Sequence, residues 1–174
     1  GFEANELHSF DHGEHVGGMC FSPDSSLVAS GGDDKRAVVR NCSSGEVVAN
    51  IERNGELWSC EFSPDGALLA ACGDDNCVTL TCTKSWETKS VIKRNVGIST
   101  VRFTPDNSKI LIGINTAIHV FTLDGQFMFT IEGDLARATF LKGLGTDLIV
   151  CPLPTQKKSL IYSLKTEKLV QVIT

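Results

Sequence analysis

Short apolar runs separated by polar turns recur along the whole chain. A typical run ends in Phe, which Ser-Pro-Asp or Thr-Pro-Asp follows before the next apolar run begins. Proline lacks a backbone donor, and Asp next to Gly, Ser or Asn favours a tight turn, so each such pattern predicts a hairpin. We expect one hairpin to join Val16–Phe21 to Leu27–Ser30 and the next to join Leu57–Phe62 to Leu68–Ala71. No segment keeps a helical period, so the sequence predicts almost no helix.

The hairpin pattern is part of an internal repeat. Three segments echo one another: MCFSPDSSLVASGGDD from Met19, CEFSPDGALLAACGDD from Cys60 and VRFTPDNSKILIGIN from Val101. Their phenylalanines, Phe21, Phe62 and Phe103, are each 41 positions apart, and a weaker fourth copy is anchored at Phe140. A period near 40 residues excludes leucine-rich repeats and is too long for ankyrin repeats.

Each copy has room for two further strands after its hairpin. Candidates for the third strand are Ala37–Cys42, Cys77–Cys82 and Ala117–Leu123. Candidates for the fourth are Glu46–Glu52, Lys89–Ile92, Phe127–Ile131 and Leu169–Ile173. Four short strands per copy are typical of a propeller blade. We therefore predict an all-β fold of β-propeller blades with four antiparallel strands each, over residues 12–52, 53–94, 95–132 and 133–174. Residues 6–10 are expected to form an outer strand of a preceding or closing blade.

The first copy resembles the WD-repeat family. His12 lies four residues before Val16, and the Phe-Ser-Pro-Asp turn, Ser30 and Asp34 follow at the positions of the family pattern. The resemblance implies that the side chains of His12, Ser30 and Asp34 hydrogen-bond inside the blade. Asp75 keeps the aspartate position in the second copy.

The copies depart from the family signature at several positions. Arg40 stands where the first copy should have Trp, and Asn115 replaces the aspartate of the third copy. In the second copy Arg53 replaces the histidine and Ala71 replaces the serine. Arg53 and Asp75 are candidates for a charged substitute of the missing network.

Four blades are fewer than the rings of this family usually contain, which resemble seven-bladed propellers. We therefore expect the chain to be part of a larger ring. The missing blades come from the same chain or from another chain, and two copies would give a ring of about eight blades.

The resemblance implies that the loops before each first strand, and between each second and third strand, form one face of such a ring. Seven positions on these loops are candidate partner-binding residues: His15, Gly17, Asp33, Glu56, Trp58, Asp74 and Ser99. With Glu14, the carboxylates make an acidic arc that favours a basic segment of a protein partner. Two alternatives stay open, because Asp33 and Asp74 also fit ordinary turn chemistry and Trp58 also fits burial between blades.

Composition and missing motifs argue against several classes of function. The net charge of −5 argues against broad nucleic-acid binding, and no apolar stretch approaches the roughly 20 residues that span a bilayer. The chain has no G-x-S-x-G, Walker or Rossmann pattern, so we predict a non-catalytic scaffold of a multiprotein complex with no cofactor and no metal. An RNA-binding propeller subunit, with Arg40, Arg94 and Trp58 on one surface, is the alternative.

The cysteines give an expectation about the compartment. Seven are scattered through apolar segments, the number is odd, and none forms a C-x-x-C pair. This pattern is typical of small buried hydrophobic residues in a reducing compartment, so we expect the cytoplasm or the nucleus.

Overall fold

The computed structural model describes residues 8–115, 117–140, 147–153 and 156–173. Within these ranges the chain forms four separate antiparallel sheets of four strands each and no α-helix. In particular, the described residues include no helix with the length and apolar character needed to cross a bilayer. The all-β prediction of four-stranded blades is confirmed.

Strand order within each sheet follows the chain, so every neighbouring pair is a simple antiparallel connection. The first blade contains β1 Val16–Phe21, β2 Leu27–Gly32, β3 Arg36–Asn41 and β4 Val47–Glu52. The second contains β5 Leu57–Phe62, β6 Leu68–Gly73, β7 Cys77–Cys82 and β8 Thr88–Lys93. The third contains β9 Thr100–Phe103, β10 Lys109–Ile114, β11 Ala117–Thr122 and β12 Phe127–Glu132. The fourth contains β13 Thr139–Phe140, β14 Leu148–Leu153, β15 Lys158–Ser163 and β16 Lys168–Ile173.

The turn after each anchoring phenylalanine sets the register of its hairpin. In the second blade the Ser63 hydroxyl donates to Asp65 Oδ1 at 2.6 Å and accepts from the Leu68 amide at 2.9 Å. The same pair of bonds recurs in two other blades, at Ser22, Asp24 and Leu27 and at Thr104, Asp106 and Lys109. One side chain thus replaces a ladder bond at the turn, so the strands of each hairpin enter in the same register.

Hydrophobic clusters fill the spaces between neighbouring sheets. One cluster joins the first two blades through Val39, Leu57 and Phe62. A second joins blades two and three, and a third joins blades three and four. The first strands lie side by side, with β1 against β5 and β5 against β9. Each sheet therefore shields a face of its neighbour, which is the packing of propeller blades.

One face of the first blade has no such cover among the described residues. Met19 is 67% exposed and Phe21 is 63% exposed. Their counterparts one repeat later, Cys60 and Phe62, are buried against the first blade. The same strand position is therefore a core position in the second blade and a surface position in the first.

The predicted outer strand over residues 6–10 needs a correction. Residues 8–10 are not in a strand, and residues 6 and 7 lie outside the described residues. The segment binds through side chains instead of a backbone ladder: His8 Nε2 lies 3.1 Å from the Ser43 carbonyl oxygen, and the Phe10 ring packs under the Arg40 guanidinium.

Candidate functional site

A buried network ties the start of the first blade to the β2–β3 turn. His12 Nδ1 lies 2.8 Å from Asp34 Oδ2, and His12 Nε2 lies 2.8 Å from Ser30 Oγ. Asp34 also accepts from the side chain and the amide of Arg36. Burial alone would raise the pKa of Asp34, but the hydrogen bond and charge of His12 outweigh it and lower that pKa. Because an ionised carboxylate only accepts, His12 Nδ1 donates to Asp34.

The second blade fills the same places with an ion pair. Arg53 Nη2 donates to both carboxylate oxygens of Asp75 at 2.8 Å, and Arg53 Nη1 donates to the Ala71 carbonyl and the Thr79 hydroxyl. The Arg53 and Asp75 side chains are 1% and 7% exposed. Asp75 Oδ1 also accepts from the Cys77 amide at 3.1 Å. The charged substitute therefore holds the β6–β7 turn as Asp34 holds the β2–β3 turn.

The third blade keeps the arginine position but has lost the aspartate. The Arg94 guanidinium lies over the Phe121 ring at 4.6 Å and over the Phe127 ring at 5.7 Å. Burial, together with the charge of Arg94, lowers the pKa of His119. Stacking on aromatic rings therefore takes the place of the ion pair in this blade.

Trp58 is the most prominent side chain on the loop face. It sits in a β-bulge, because the ladder between β5 and β6 shifts register between Leu57 and Ser59. A bulge turns its extra residue out of the regular pleat. Trp58 is 39% exposed, and its Nε1 donates to Glu56 Oε2 at 3.4 Å. The alternative that Trp58 is buried between blades is therefore wrong.

Two glycines bring Trp58 and Asp74 close to the backbone. A Cβ on Gly97 would lie 2.9 Å from the Trp58 ring and 4.0 Å from Asp74 Cα. A Cβ on Gly55 would lie 2.2 Å from Asp74 Oδ1. We call Glu56, Trp58 and Asp74 the tryptophan patch. The Trp58 ring lies against the loop that enters the third blade, and the residue as a whole stays 39% exposed.

The acidic arc continues on the first blade. His15 and Asp33 are both exposed, with His15 Nδ1 3.7 Å from Asp33 Oδ1, and Glu14 is exposed beside them. Asp33 and Asp74 occupy equivalent turns at the same end of neighbouring blades. Their direct adjacency stays a prediction.

Gly17 and Ser99 are the repeat counterparts of Trp58, and they contribute differently. A Cβ on Gly17 would lie 2.3 Å from the Leu57 carbonyl oxygen, so Gly17 allows the first two blades to approach closely. Ser99 is exposed, but its hydroxyl donates to the Gly113 carbonyl at 3.0 Å. Among these three equivalent positions, only Trp58 presents a large side chain to solvent.

Sequence reasoning missed a line of residues between the blades. Glu61 Oε2 accepts from the Phe103 amide of the third blade at 2.5 Å, and Arg102 Nη1 donates to the Ala138 carbonyl of the fourth at 3.0 Å. Burial raises the pKa of Glu61 to about 7, against the opposing effects of the Phe103 amide and Arg102. With Cys20, these residues repeat every 41 positions, and that spacing is the signal that would have found them.

The cysteines are free thiols, and three of them, Cys60, Cys72 and Cys151, are buried. Burial raises the pKa of Cys72 and of Cys151 to about 12. In the part of the chain that the structure describes, no group of three or more His, Cys, Asp or Glu side chains is arranged to hold a metal ion.

Comparison with known families agrees with the repeat geometry. Residues 4–41 and 45–80 match the family model described as WD domain, G-beta repeat. The matched segments include the whole of the His12 network and the whole of the Arg53 network. No curated protein matches the chain.

Proposed function

This chain belongs to the WD-repeat family, and from that premise we propose that it is a non-catalytic scaffold that binds a protein partner at the tryptophan patch. WD repeats generally mediate protein–protein interaction and are typically non-catalytic. For this chain the binding surface is the tryptophan patch, and the partner contributes a basic segment.

The exposed Trp58 indole beside two carboxylates is the observation that carries the proposal. Trp is frequent among residues that dominate binding energy, and its ring face attracts cations. The Glu56 carboxylate accepts from the indole Nε1, and the nearby Asp74 adds a second negative charge to the patch. Because the ring already rests on the Gly97 backbone, little side-chain freedom is lost when a partner binds. An Arg or Lys side chain of the partner fits this combination of aromatic face and carboxylates.

The charge of the wider surface supports a basic partner. Glu14 and Asp33 extend the acidic patch onto the first blade, and the chain as a whole carries a net charge of −5. Such a field accelerates association with a basic segment and weakens as salt is added. We therefore expect the affinity to fall with ionic strength.

The geometry does not favour the RNA-binding alternative. The Arg40 guanidinium lies over the Phe10 ring at 4.6 Å, and the Arg94 guanidinium lies over the Phe121 ring. These planar groups already stack inside the protein, so at least one of their faces is not available to a base. A protein partner remains our proposal.

The open face of the first blade supports a second element of the proposal, a larger ring. Met19 and Phe21 occupy positions that a preceding blade covers in the second and third copies. A further blade of the same kind, from this chain or from another, would bury them in the same way. A closed, compact, four-bladed monomer in small-angle scattering would contradict this element.

An array of Lys- and Arg-containing peptides tests the patch directly. The wild-type protein is compared with the double variant Glu56→Gln/Asp74→Asn, which keeps the shapes but removes both charges. The matched control is Glu46→Gln/Glu87→Gln, which removes two charges from the β3–β4 and β7–β8 connections at the opposite end of the blades. We expect binding to basic peptides to fall in Glu56→Gln/Asp74→Asn and to stay unchanged in the control. Equal binding by all three proteins would contradict the proposed surface.

A further inference from the structure

Two thiols from neighbouring blades face each other in the first blade junction. Cys20 Sγ lies 3.3 Å from Cys60 Sγ, on strands β1 and β5. We propose that Cys20 and Cys60 are a modification site: a peroxide oxidises them to a reversible disulfide that fastens the first blade to the second.

The backbone geometry brings the two strands close enough for the bond. A disulfide needs a sulfur–sulfur distance of about 2.05 Å, so the two sulfurs approach by about 1.3 Å, which side-chain rotation and a small strand shift supply. The strands are already close, since a Cβ on Gly18 would lie 3.0 Å from the Ser59 Cα. Cys60 Sγ also points toward the first blade, where it lies 3.8 Å from the Ala29 carbonyl oxygen.

The two cysteines differ in exposure, and this difference assigns their roles. Cys20 is half-buried and open to a small oxidant, whereas Cys60 is buried. Contact with Cys20 and burial raise the pKa of Cys60 well above its usual value. Cys20 is therefore the thiol that the peroxide attacks, and Cys60 is the resolving thiol.

The reaction balances with a peroxide as the oxidant. Cys20 releases its proton, the thiolate attacks one peroxide oxygen, and the O–O bond breaks. Cys20 becomes a sulfenic acid, and the leaving hydroxide takes up the released proton as the first water. The Cys60 sulfur then attacks Cys20 Sγ, the S–O bond breaks, and the hydroxyl leaves with the Cys60 proton as a second water. In total, the two thiols lose two electrons and two protons to hydrogen peroxide. A cellular dithiol reverses the bond by exchange.

This pair is distinct from the other thiols of the described chain, where no second sulfur–sulfur contact of this kind is found. Cys82 is the best control, because hydrogen bonds from the Ser85 and Lys84 amides lower its pKa and make it reactive. Among the described residues, no other thiol is in contact with Cys82 to resolve a sulfenic acid. Oxidation of Cys82 should therefore add oxygen to its sulfur and form no disulfide.

The test treats the whole chain with hydrogen peroxide, blocks the remaining thiols by alkylation and maps the peptides by mass spectrometry without reduction. We expect a Cys20–Cys60 linked peptide, the loss of two hydrogens in the intact mass, and reversal by dithiothreitol. The melting temperature should rise by about 5–10 °C in the oxidised form, because the bond closes a long loop.

Variants separate this proposal from general oxidation. Cys20→Ser should remove both the linked peptide and the thermal shift, and Cys82→Ser should keep both. The linked peptide of the wild-type protein needs no variant, so misfolding of a variant does not remove the test. Two results would overturn the proposal. One is oxygen added to Cys20 with no link to Cys60, and the other is the same loss of two hydrogens from the intact mass of Cys20→Ser.

Discussion

Arg53 and Asp75 form a doubly hydrogen-bonded ion pair, buried in the second blade at the positions that His12 and Asp34 hold in the first. Burial of two charges is costly, and the pairing offsets that cost only while both partners are present. The turns that precede β3 and β7 are both held by an aspartate at the same repeat position. Its partner is a histidine in the first blade and an arginine in the second.

Removal of one partner of the ion pair should be strongly destabilising. We expect Asp75→Ala to lower the free energy of unfolding by about 3–5 kcal/mol, because the Arg53 charge stays buried without its carboxylate. Urea denaturation measures the loss. The neighbouring variant Asp74→Ala is the control, because Asp74 is exposed and forms no ion pair with any residue that the structure describes. It should change stability by less than about 0.5 kcal/mol. Similar losses in both variants would contradict the structural role of the pair.

The network of His12, Ser30 and Asp34 in the first blade should matter less than the ion pair of the second. We expect Asp34→Ala to lower the free energy of unfolding by about 1–3 kcal/mol, since it leaves the His12 Nδ1 proton and the Arg36 amide without their acceptor. The folded pKa of Asp34 is lowered, so its contribution is complete above the unfolded pKa and is lost as the pH falls through the folded pKa. An unchanged melting temperature in Asp34→Ala would show that the contact with His12 has no energetic weight.

The repeat spacing predicted the strands and the hairpin turns, because these depend on local chemistry that recurs in the sequence. It also pointed to His12, Ser30 and Asp34 as a set. It could not predict that Trp58 is exposed, since that depends on a β-bulge and on the space above Gly97, which are tertiary features. The 41-residue spacing places Glu61 in line with Cys20 and Arg102, but its bond to the Phe103 amide joins two blades and is visible only in the folded chain.

Glu61 should make stability depend on pH in a direction opposite to that of Asp34. Its folded pKa of about 7 lies above the reference value of 4.5, so between these values the native state binds more protons than the unfolded state. The free energy of unfolding should therefore decrease by up to about 3 kcal/mol as the pH rises from about 5 to about 8. Chemical denaturation at a series of pH values measures this change.

Glu61→Gln isolates this effect from other titrating groups such as His119. The amide oxygen still accepts from the Phe103 amide but carries no charge at any pH. We expect the variant and the wild-type protein to be similarly stable at a pH of about 5, and the variant to be the more stable at about 8. Parallel stability curves for the two proteins would contradict the assignment.

The open face of the first blade can be tested by comparing two equivalent phenylalanines. In the isolated chain, Phe21→Ala should cost less than about 1 kcal/mol, because Phe21 is already exposed. Phe62→Ala should cost about 3–5 kcal/mol, because it leaves a cavity between the first two blades. Equal losses would show that Phe21 is covered in the chain by itself.

The most direct test of the binding surface is zero-length crosslinking in the native cell, followed by affinity purification. A carbodiimide joins a carboxylate to a lysine in direct contact, so crosslinks from Glu56 or Asp74 identify both the patch and the basic segment of the partner. We expect crosslinks from these two residues to one set of partner lysines. The same partners should be lost in Trp58→Ala and retained in Glu46→Gln/Glu87→Gln. Crosslinks that map to other carboxylates, with partners unchanged in Trp58→Ala, would contradict it.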